Sequence, residues 1–397
     1  MWRFLLLLIL LIASCSVKQE DEGVIDIAEA MNNLSEEHAV QDLFSGINYV
    51  PLKTDELSVI GKYPECIVMD SVILITSAHQ NLKMFDRIEG KYIQDIGHVG
   101  TDPEGYAKDS WGRVNFWVDT AQENIYLLGW NNDFLVYGVD GSYKGRIRLQ
   151  EEDCVLSQNY YVMDSGRIWG HNKLKLTPEM PSVFYIDEGM KSLVGIATWN
   201  SSLLPMDEVL SVSCLLGSSV AYGGDLSIAE FAGERKYYTA INSPSLWKFS
   251  DTIRLKQAFN DTIYNVSENG LTPHLTIGLG KWHWSEQQPL DVEGCDKKIA
   301  IDYVLENEKY LYFHFHVGLY RENGQSYCGF YHKEKKMFVC QKGDSLFDKE
   351  NKQRIQIRGV SSDGCFYALL QPNELSDENR RRMGVEEEDN PVVAILY

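Results

Sequence analysis

The sequence predicts an all-β protein: a six-bladed β-propeller of four-stranded antiparallel blades, closed into a ring by an N-terminal strand. Three observations carry this. Residues 81–96 and 133–147 are two versions of one pattern, a strand, a turn at Gly90 or Gly141, and a returning strand. Each follows another hairpin, Cys66–Thr76 or Val114–Leu128, which makes four short strands per unit of ~50 residues, the signature of a propeller blade. Two markers then recur at that spacing: an acid ahead of the second strand (Asp70, Asp119, Asp164) and a turn glycine (Gly90, Gly141, Gly189). Finally, the last blade is one strand short, while a lone strand, Ile47–Leu52, stands at the start of the chain. Pairing the two removes two free sheet edges at once.

From the N-terminus, residues 1–14 read as a secretory signal. Arg3 is the positive n-region, Phe4–Ile12 a short apolar run, and Ile12-Ala13-Ser14 small residues ahead of Cys15. The apolar run is too short to span a bilayer, which takes ~20 residues. Ile12-Ala13-Ser14-Cys15 resembles the lipobox of bacterial lipoproteins, with Ile and Ser as variants of the usual residues. The resemblance implies cleavage before Cys15, lipidation of that residue, and attachment to a membrane. Several acyl chains on one residue suffice for stable anchoring. The acidic run Ser16–Glu22 resembles the tag that sends some Gram-negative lipoproteins to the cell surface; read without it, the run is a solvated tether. Residues 15–45 form that lipidated tether and an approach segment, with a turn or two of helix at Ile27–Met31. The propeller occupies residues 46–397.

Ile47–Leu52 opens the ring, and Pro51 confines it to an edge, since proline cannot donate to a ladder. Blade one takes Glu65–Met69, Val72–Ser77, Asn81–Asp86 and Lys91–Ile96. Gly97–Tyr106, rich in glycine with one proline, is a structured inter-blade loop. Blade two takes Arg113–Val118, Asn124–Leu128, Asp133–Gly138 and Tyr143–Leu149; blade three takes Asn159–Met163, Arg167–Gly170, Ser182–Ile186 and Lys191–Ala197. Blade four is looser: Ser227–Phe231, Lys236–Ala240, Thr262–Val266 and Leu271–Ile277, with an insertion at 243–256. Blade five takes Ile299–Leu305, Tyr310–His316, Ser326–Tyr331 and Met337–Gln341. Blade six takes Arg354–Val360, Cys365–Leu370 and Val392–Tyr397, with a helix around Leu375–Met383 before its last strand.

Composition is that of an ordinary globular chain of 397 residues, 44% hydrophobic and 24% charged. The formal net charge of −20 argues against nucleic-acid binding, which needs clustered cations. Seven cysteines remain after Cys15, odd in number and irregular in spacing, so no disulfide framework is encoded. Cys328 and Cys340 lie symmetrically about Glu334 and either bridge across a hairpin or stay as two buried thiols.

Four segments carry a family resemblance. Tyr49-Val50-Pro51-Leu52-Lys53-Thr54, Gly97-x-x-Gly100 with Gly105-Tyr106, Asn260-Asp261-Thr262-Ile263-Tyr264 and Asn390-Pro391-Val392-Val393 resemble the six-bladed β-propeller lipoproteins of gut-type Gram-negative bacteria. Those are related at fold level to TolB and NHL propellers. The resemblance covers Gly46 to Tyr397 and implies a fold; it implies no particular activity.

Candidate chemistry is sparse. Trp282-His283-Trp284 sits in a loop, where its rings either stack on a sugar or a partner, or plug the propeller wall. Asp102 and Glu104 either bind a hard cation or form a solvated acidic loop. His314 and His316 share one strand face at metal-ligand spacing, with His332 on the next strand; as plain polar residues they would line an exposed face. Trp111, Trp117 and Trp130 are expected to pack between sheets. Arg380-Arg381-Arg382 reads as the exposed face of a helix. No P-loop, Gly-x-Ser-x-Gly elbow, Cys-x-x-Cys or His-Glu-x-x-His occurs, and no cofactor is implied. The sequence therefore points to a lipid-anchored binding module of the outer membrane, non-catalytic, recognising a glycan, a peptide or an envelope protein through its loops. The alternative is a hydrolase or lyase working at the mouth of the central channel.

Overall fold

The hydrophobic alternation of the sequence becomes six antiparallel sheets in a ring. The computed structural model describes residues 23–34, 37–109, 111–131, 133–148, 159–172, 181–187, 192–198, 246–257, 260–283, 297–318 and 324–397. Blade one is Glu65–Val68, Val72–Thr76, Leu82–Asp86 and Tyr92–Ile96; blade two is Phe116–Asp119, Asn124–Leu128, Asp133–Gly138 and Tyr143–Arg148. Blade three is Asn159–Asp164, Arg167–Asn172, Pro181–Asp187 and Ser192–Thr198, and blade five is Ile299–Glu306, Tyr310–Val317, Gln325–His332 and Met337–Lys342. Each is a four-stranded meander in chain order. The first strands of neighbouring blades touch around the ring, blade two with three, three with four, five with six and six with one.

Ring closure follows the expected route. Ile47–Pro51 pairs antiparallel with Val392–Leu396 and forms the outer strand of blade six, whose inner strands are Phe366–Leu370 and Gly359–Val360. Pro51 thus lies on a sheet edge, where its missing N–H costs nothing. The innermost strand is shorter than the sequence implies, because Gln353–Ile355 leaves blade six and pairs with Leu346–Asp348 in a small hairpin. The helix ahead of the last strand is Asp377–Met383, capped by the Ser376 side chain and ended by Gly384 in the left-handed conformation.

Blade four departs from the sequence reading. Its strands are Leu246–Phe249, Thr252–Lys256, Thr262–Ser267 and Gly270–Gly278. The described part of the stretch expected as an insertion (243–256), residues 246–256, supplies the first two strands, while Ser227–Phe231 and Lys236–Ala240 lie outside the described residues. Blade four also gains a fifth strand, because Gly23–Asp26 adds parallel to Gly270–Gly278 at the outer edge. Residues 23–34 and 37–45, inside the segment read as a tether, run along the outer wall. The helix Ile27–Asn32 packs against the outer strand of blade five. Ala39 then bridges to Phe347, and Gln41 donates to Asp348 at 2.7 Å.

The core is distributed among the blade interfaces. Among the described residues, six apolar clusters form, one between each adjacent pair of blades. Phe313 and Phe315 face blade four, for example, whereas Tyr312 faces blade six. Both faces of each sheet are therefore buried, which is what holds the wheel together.

The two cysteines of blade five separate for this reason. Gly329, not Cys328, stands opposite Cys340, so the cysteines are one residue out of register. A one-residue offset puts them on opposite faces. Cys328 packs toward blade six and Cys340 toward blade four, and they are not bridged.

Candidate functional site

In a meander blade, the loop entering the first strand and the loop joining strands two and three emerge at the same end. Backbone bonds confirm that these loops meet across blades: Ala78 donates to Lys62 O at 2.8 Å and His79 to Gly112 O at 2.7 Å. This end of the ring is the entry face.

The entry face carries a built aromatic pair. Tyr63 lies in the loop entering blade one and Trp111 in the loop entering blade two. Their rings are 5.9 Å apart and tilted by 69°, and they are 59% and 62% exposed. The Trp111 loop is organised by Asp109. Its Oδ1 accepts the backbone N–H of Trp111 and of Arg113, both at 2.8 Å, its own N–H donates to Arg113 O, and its carbonyl accepts from Gly112. The Arg113 guanidinium is held by Asp109 Oδ2 and Glu65. Three backbones nearby are left-handed: Tyr63 (φ 54°), His79 (φ 65°) and Gly112 (φ 78°). Only glycine fits at 112, since an added Cβ would lie 2.7 Å from the His79 ring. A non-glycine residue in this conformation costs about 1–2 kcal/mol, and the same conformation recurs in the hairpin turns at Glu123, Ser165, Ser250, Lys336 and Lys352.

Exposure on this face contrasts with the rest of the molecule. The exposed large aromatic residues among those described are Tyr63, Trp111, Trp130 and Tyr397. All but Tyr397, at the chain end, lie in entry-face loops, as do exposed Leu57 and Val59. Trp111 and Trp130 were expected to pack between sheets and do not. Tight loops lift them out of the interface, and Trp130 donates its indole N–H to Gly100 O at 2.5 Å. Trp117 does pack between blades two and three, edge-on to Phe134 and Tyr161.

The other sequence candidates are dispersed. Cys15 and Trp284 lie outside the described residues. Trp282 ends a short 3-10 turn, Gly280–Trp282, and packs partly against the cluster between blades four and five, under the Lys281 ammonium. His283 Nδ1 lies 2.7 Å from Asp261, whose carboxyl is pushed up by burial. Asp102 is occupied by His98 Nε2 at 2.7 Å, a contact that holds its carboxyl below the usual range. Glu104 is exposed and contributes its carbonyl to Tyr137 at 2.5 Å. The loop itself is pinned by Tyr106, which donates to Ile96 O and accepts from Leu82 N. Among the described residues, no group of three or more His, Cys, Asp or Glu is placed to hold a metal ion.

His314 and His316 share a face, as expected, but that face is buried, toward blade six. Between them sits Asp302, which the sequence reading missed. It is the extra residue of a β-bulge between Ile301 and Tyr303. Bulges re-aim side chains, and this one turns Asp302 onto the imidazoles. His316 Nδ1 donates to Asp302 Oδ1 at 2.9 Å; His314 Nδ1 lies 2.9 Å from Oδ2, out of line for a hydrogen bond. The His314 ring stacks on Tyr303 at 4.9 Å. Burial pushes the Asp302 carboxyl up, but the two histidines outweigh it and bring it down to about 2. The Nε2 atoms of both rings are buried and have no hydrogen-bond partner. His332 pairs with Tyr310 at the far end of the strand, about 13 Å along it from His314, and takes no part.

The sequence profile of a domain of unknown function, DUF4934, matches residues 22–397. The chain belongs to that family. No curated protein matches it. Among solved structures, this DUF4934 chain is similar to a protein of Bacteroides fragilis NCTC 9343 described as a candidate exported protein. The TM-score is 0.59 at 16% identity, over 94% of this chain and 99% of that one. At that identity the likeness concerns the fold. The WD40 domain of Neurospora crassa Pan2 aligns with a TM-score of 0.36 and 10% identity, over 82% of this chain and 76% of that one. That level of likeness carries no argument. No helix among the described residues of the DUF4934 chain is long and apolar enough to cross a membrane.

Proposed function

We propose that the chain is an exported binding propeller, anchored by lipid on Cys15 at the outer membrane and displayed at the cell surface. It recognises a glycan, a peptide or an envelope protein through its entry face and has no catalytic step of its own. One observation carries this: exposed aromatic residues gather on the entry face, at loops held by a dense set of hydrogen bonds. Export is supported by the signal-like residues 1–14 and by the description of the Bacteroides fragilis relative.

The test is a photo-crosslinking amino acid placed at Trp111 and, as a control, at Met337 on the opposite end of the ring. In intact cells the Trp111 position captures a glycan or protein adduct and the Met337 position does not. Equal capture at both positions, or none at Trp111, overturns the reading. A second reading, a hydrolase or lyase at the channel mouth, is favoured only by Asp302. This acid lies on an innermost strand with its side chain 19% exposed. Hydrolytic or lytic turnover that His316→Ala abolishes, with the fold intact by melting, would establish it.

A further inference from the structure

We infer that Tyr63 and Trp111 form a stacking site for an uncharged sugar ring. This rests on the binding reading above and names the ligand class. Two rings from different loops meet at a steep angle, so together they form a corner of two apolar surfaces. Sugar rings present apolar C–H faces edged by hydroxyls and fit such a corner. Polar side chains suit those hydroxyls, because Lys62, Glu65 and Arg113 stand within two residues of Tyr63 or Trp111 in the chain.

Charge narrows the choice. Of the two cations at the rim, the Arg113 guanidinium is already shared between Glu65 and Asp109, which leaves an anionic ligand a single exposed ammonium, Lys62. The chain as a whole carries −20 and repels anions. For a cationic ligand, two rings at a steep angle do not enclose an ammonium as an aromatic cage does. An uncharged ligand meets neither obstacle.

The experiment uses the full mature chain on an array of immobilised neutral and acidic oligosaccharides, followed by calorimetric titration with the best neutral one. Neutral oligosaccharides bind and their acidic counterparts do not. Trp111→Ala and Tyr63→Ala each raise the dissociation constant at least tenfold, Trp111→Phe retains most of the affinity, and Ile88→Ala on the opposite end leaves it unchanged. Thermal melting accompanies each variant, so that lost binding is separated from lost fold. Failure of every neutral sugar to bind, or binding unchanged in Trp111→Ala and Tyr63→Ala, overturns the sugar assignment. Capture of a protein by the crosslinker at Trp111 alongside that failure leaves the binding reading standing and removes only the sugar.

Discussion

Glu306 ties blade four to blade five, and its removal should be among the costliest single changes in the ring. Its side chain is 1% exposed. Oε2 accepts the Trp247 indole N–H at 2.6 Å and lies 3.5 Å from Arg254 Nε, while Oε1 lies 2.8 Å from Lys333 Nζ. Trp247 and Arg254 belong to blade four, Glu306 and Lys333 to blade five. The Lys333 ammonium also sits 3.5 Å from the centre of the Phe249 ring of blade four. Glu306→Gln keeps the shape and one acceptor for Trp247 but leaves two cations facing an uncharged amide. Arg254 is 9% exposed and gains little from water; Lys333, at 24%, gains more. Removing one partner of a buried pair costs about 3–5 kcal/mol, and the partial exposure of Lys333 places this case near 3. With an unfolding entropy of about 2.1 cal/mol/K per residue over roughly 350 residues, that is a fall of about 4 °C in melting temperature. Thermal melting and urea titration measure it. The triple variant Glu306→Leu, Arg254→Met, Lys333→Met removes all the charges and should recover most of the loss. A Glu306→Gln protein melting within 1 °C (about 0.7 kcal/mol) of the native one would refute the argument. A triple variant no better than the single one would show that shape, and not charge, was lost.

Three further outcomes follow from the geometry. Gly90→Ala should destabilise by at least about 2 kcal/mol in urea titration, because its Cβ would lie 2.0 Å from Pro51 O in the closing strand and the backbone φ is +66°. Burial pushes the thiols of Cys328 and Cys340 up to about 12. Iodoacetamide with mass spectrometry should therefore label them only after unfolding, and mild oxidation should not link them. The Asp302 carboxyl is depressed from 3.8 to about 2. A depressed carboxyl contributes stability above its unfolded value that is lost as pH falls through the folded one. Relative to Asp302→Asn, the native chain should hold an advantage of about 2 kcal/mol at pH 5–7 that vanishes near pH 2; a gap independent of pH would contradict the pairing with His314 and His316.

The parts of the fold that could be read from the sequence were those encoded by regular spacing. Asp70, Asp119 and Asp164 mark the first-to-second-strand turns of blades one to three, and the closing strand was legible because blade six lacked a partner for Val392–Leu396. Blade four was misread because its turn acid, Asp251, stands 87 residues beyond Asp164, outside the repeat period. The turn itself was visible: two alternating runs, Leu246–Phe249 and Thr252–Lys256, flank Ser250-Asp251. The aromatic pair was missed because burial is the usual fate of tryptophan, yet Asp109, Gly112 and Arg113 bracket Trp111 as a tight turn that pushes its ring outward. Asp302 left a fainter trace. Ile299 and Ile301 face blade four, and so does Val304, a break in strict alternation that requires one extra residue between them. The Cys328–Cys340 symmetry misled because sequence gives the middle of a hairpin only to within a residue, and one residue decides the face.

The position of Gly23 orients the ring if Cys15 carries the lipid. Gly23–Asp26 is held on the outer edge of blade four, and in a closed ring of six, blade one lies diametrically opposite. The eight residues from Cys15 to Gly23 reach at most about 29 Å when fully extended. A compact domain of roughly 350 residues has a radius of gyration of about 20 Å and a width of about 50 Å. The tether is shorter than the ring is wide, so the wall of blade four stays near the bilayer while blade one, on the opposite side of the ring, is the blade free to stand farthest from it. Energy transfer from a dye on blade one or blade four to a headgroup acceptor, in vesicles carrying the lipidated chain, reads this directly. Transfer should be markedly stronger from blade four. Lengthening the tether by a flexible insert between Glu22 and Gly23 should erase the difference, and equal transfer from both blades with the native tether would show that the N-terminal strand does not set the orientation.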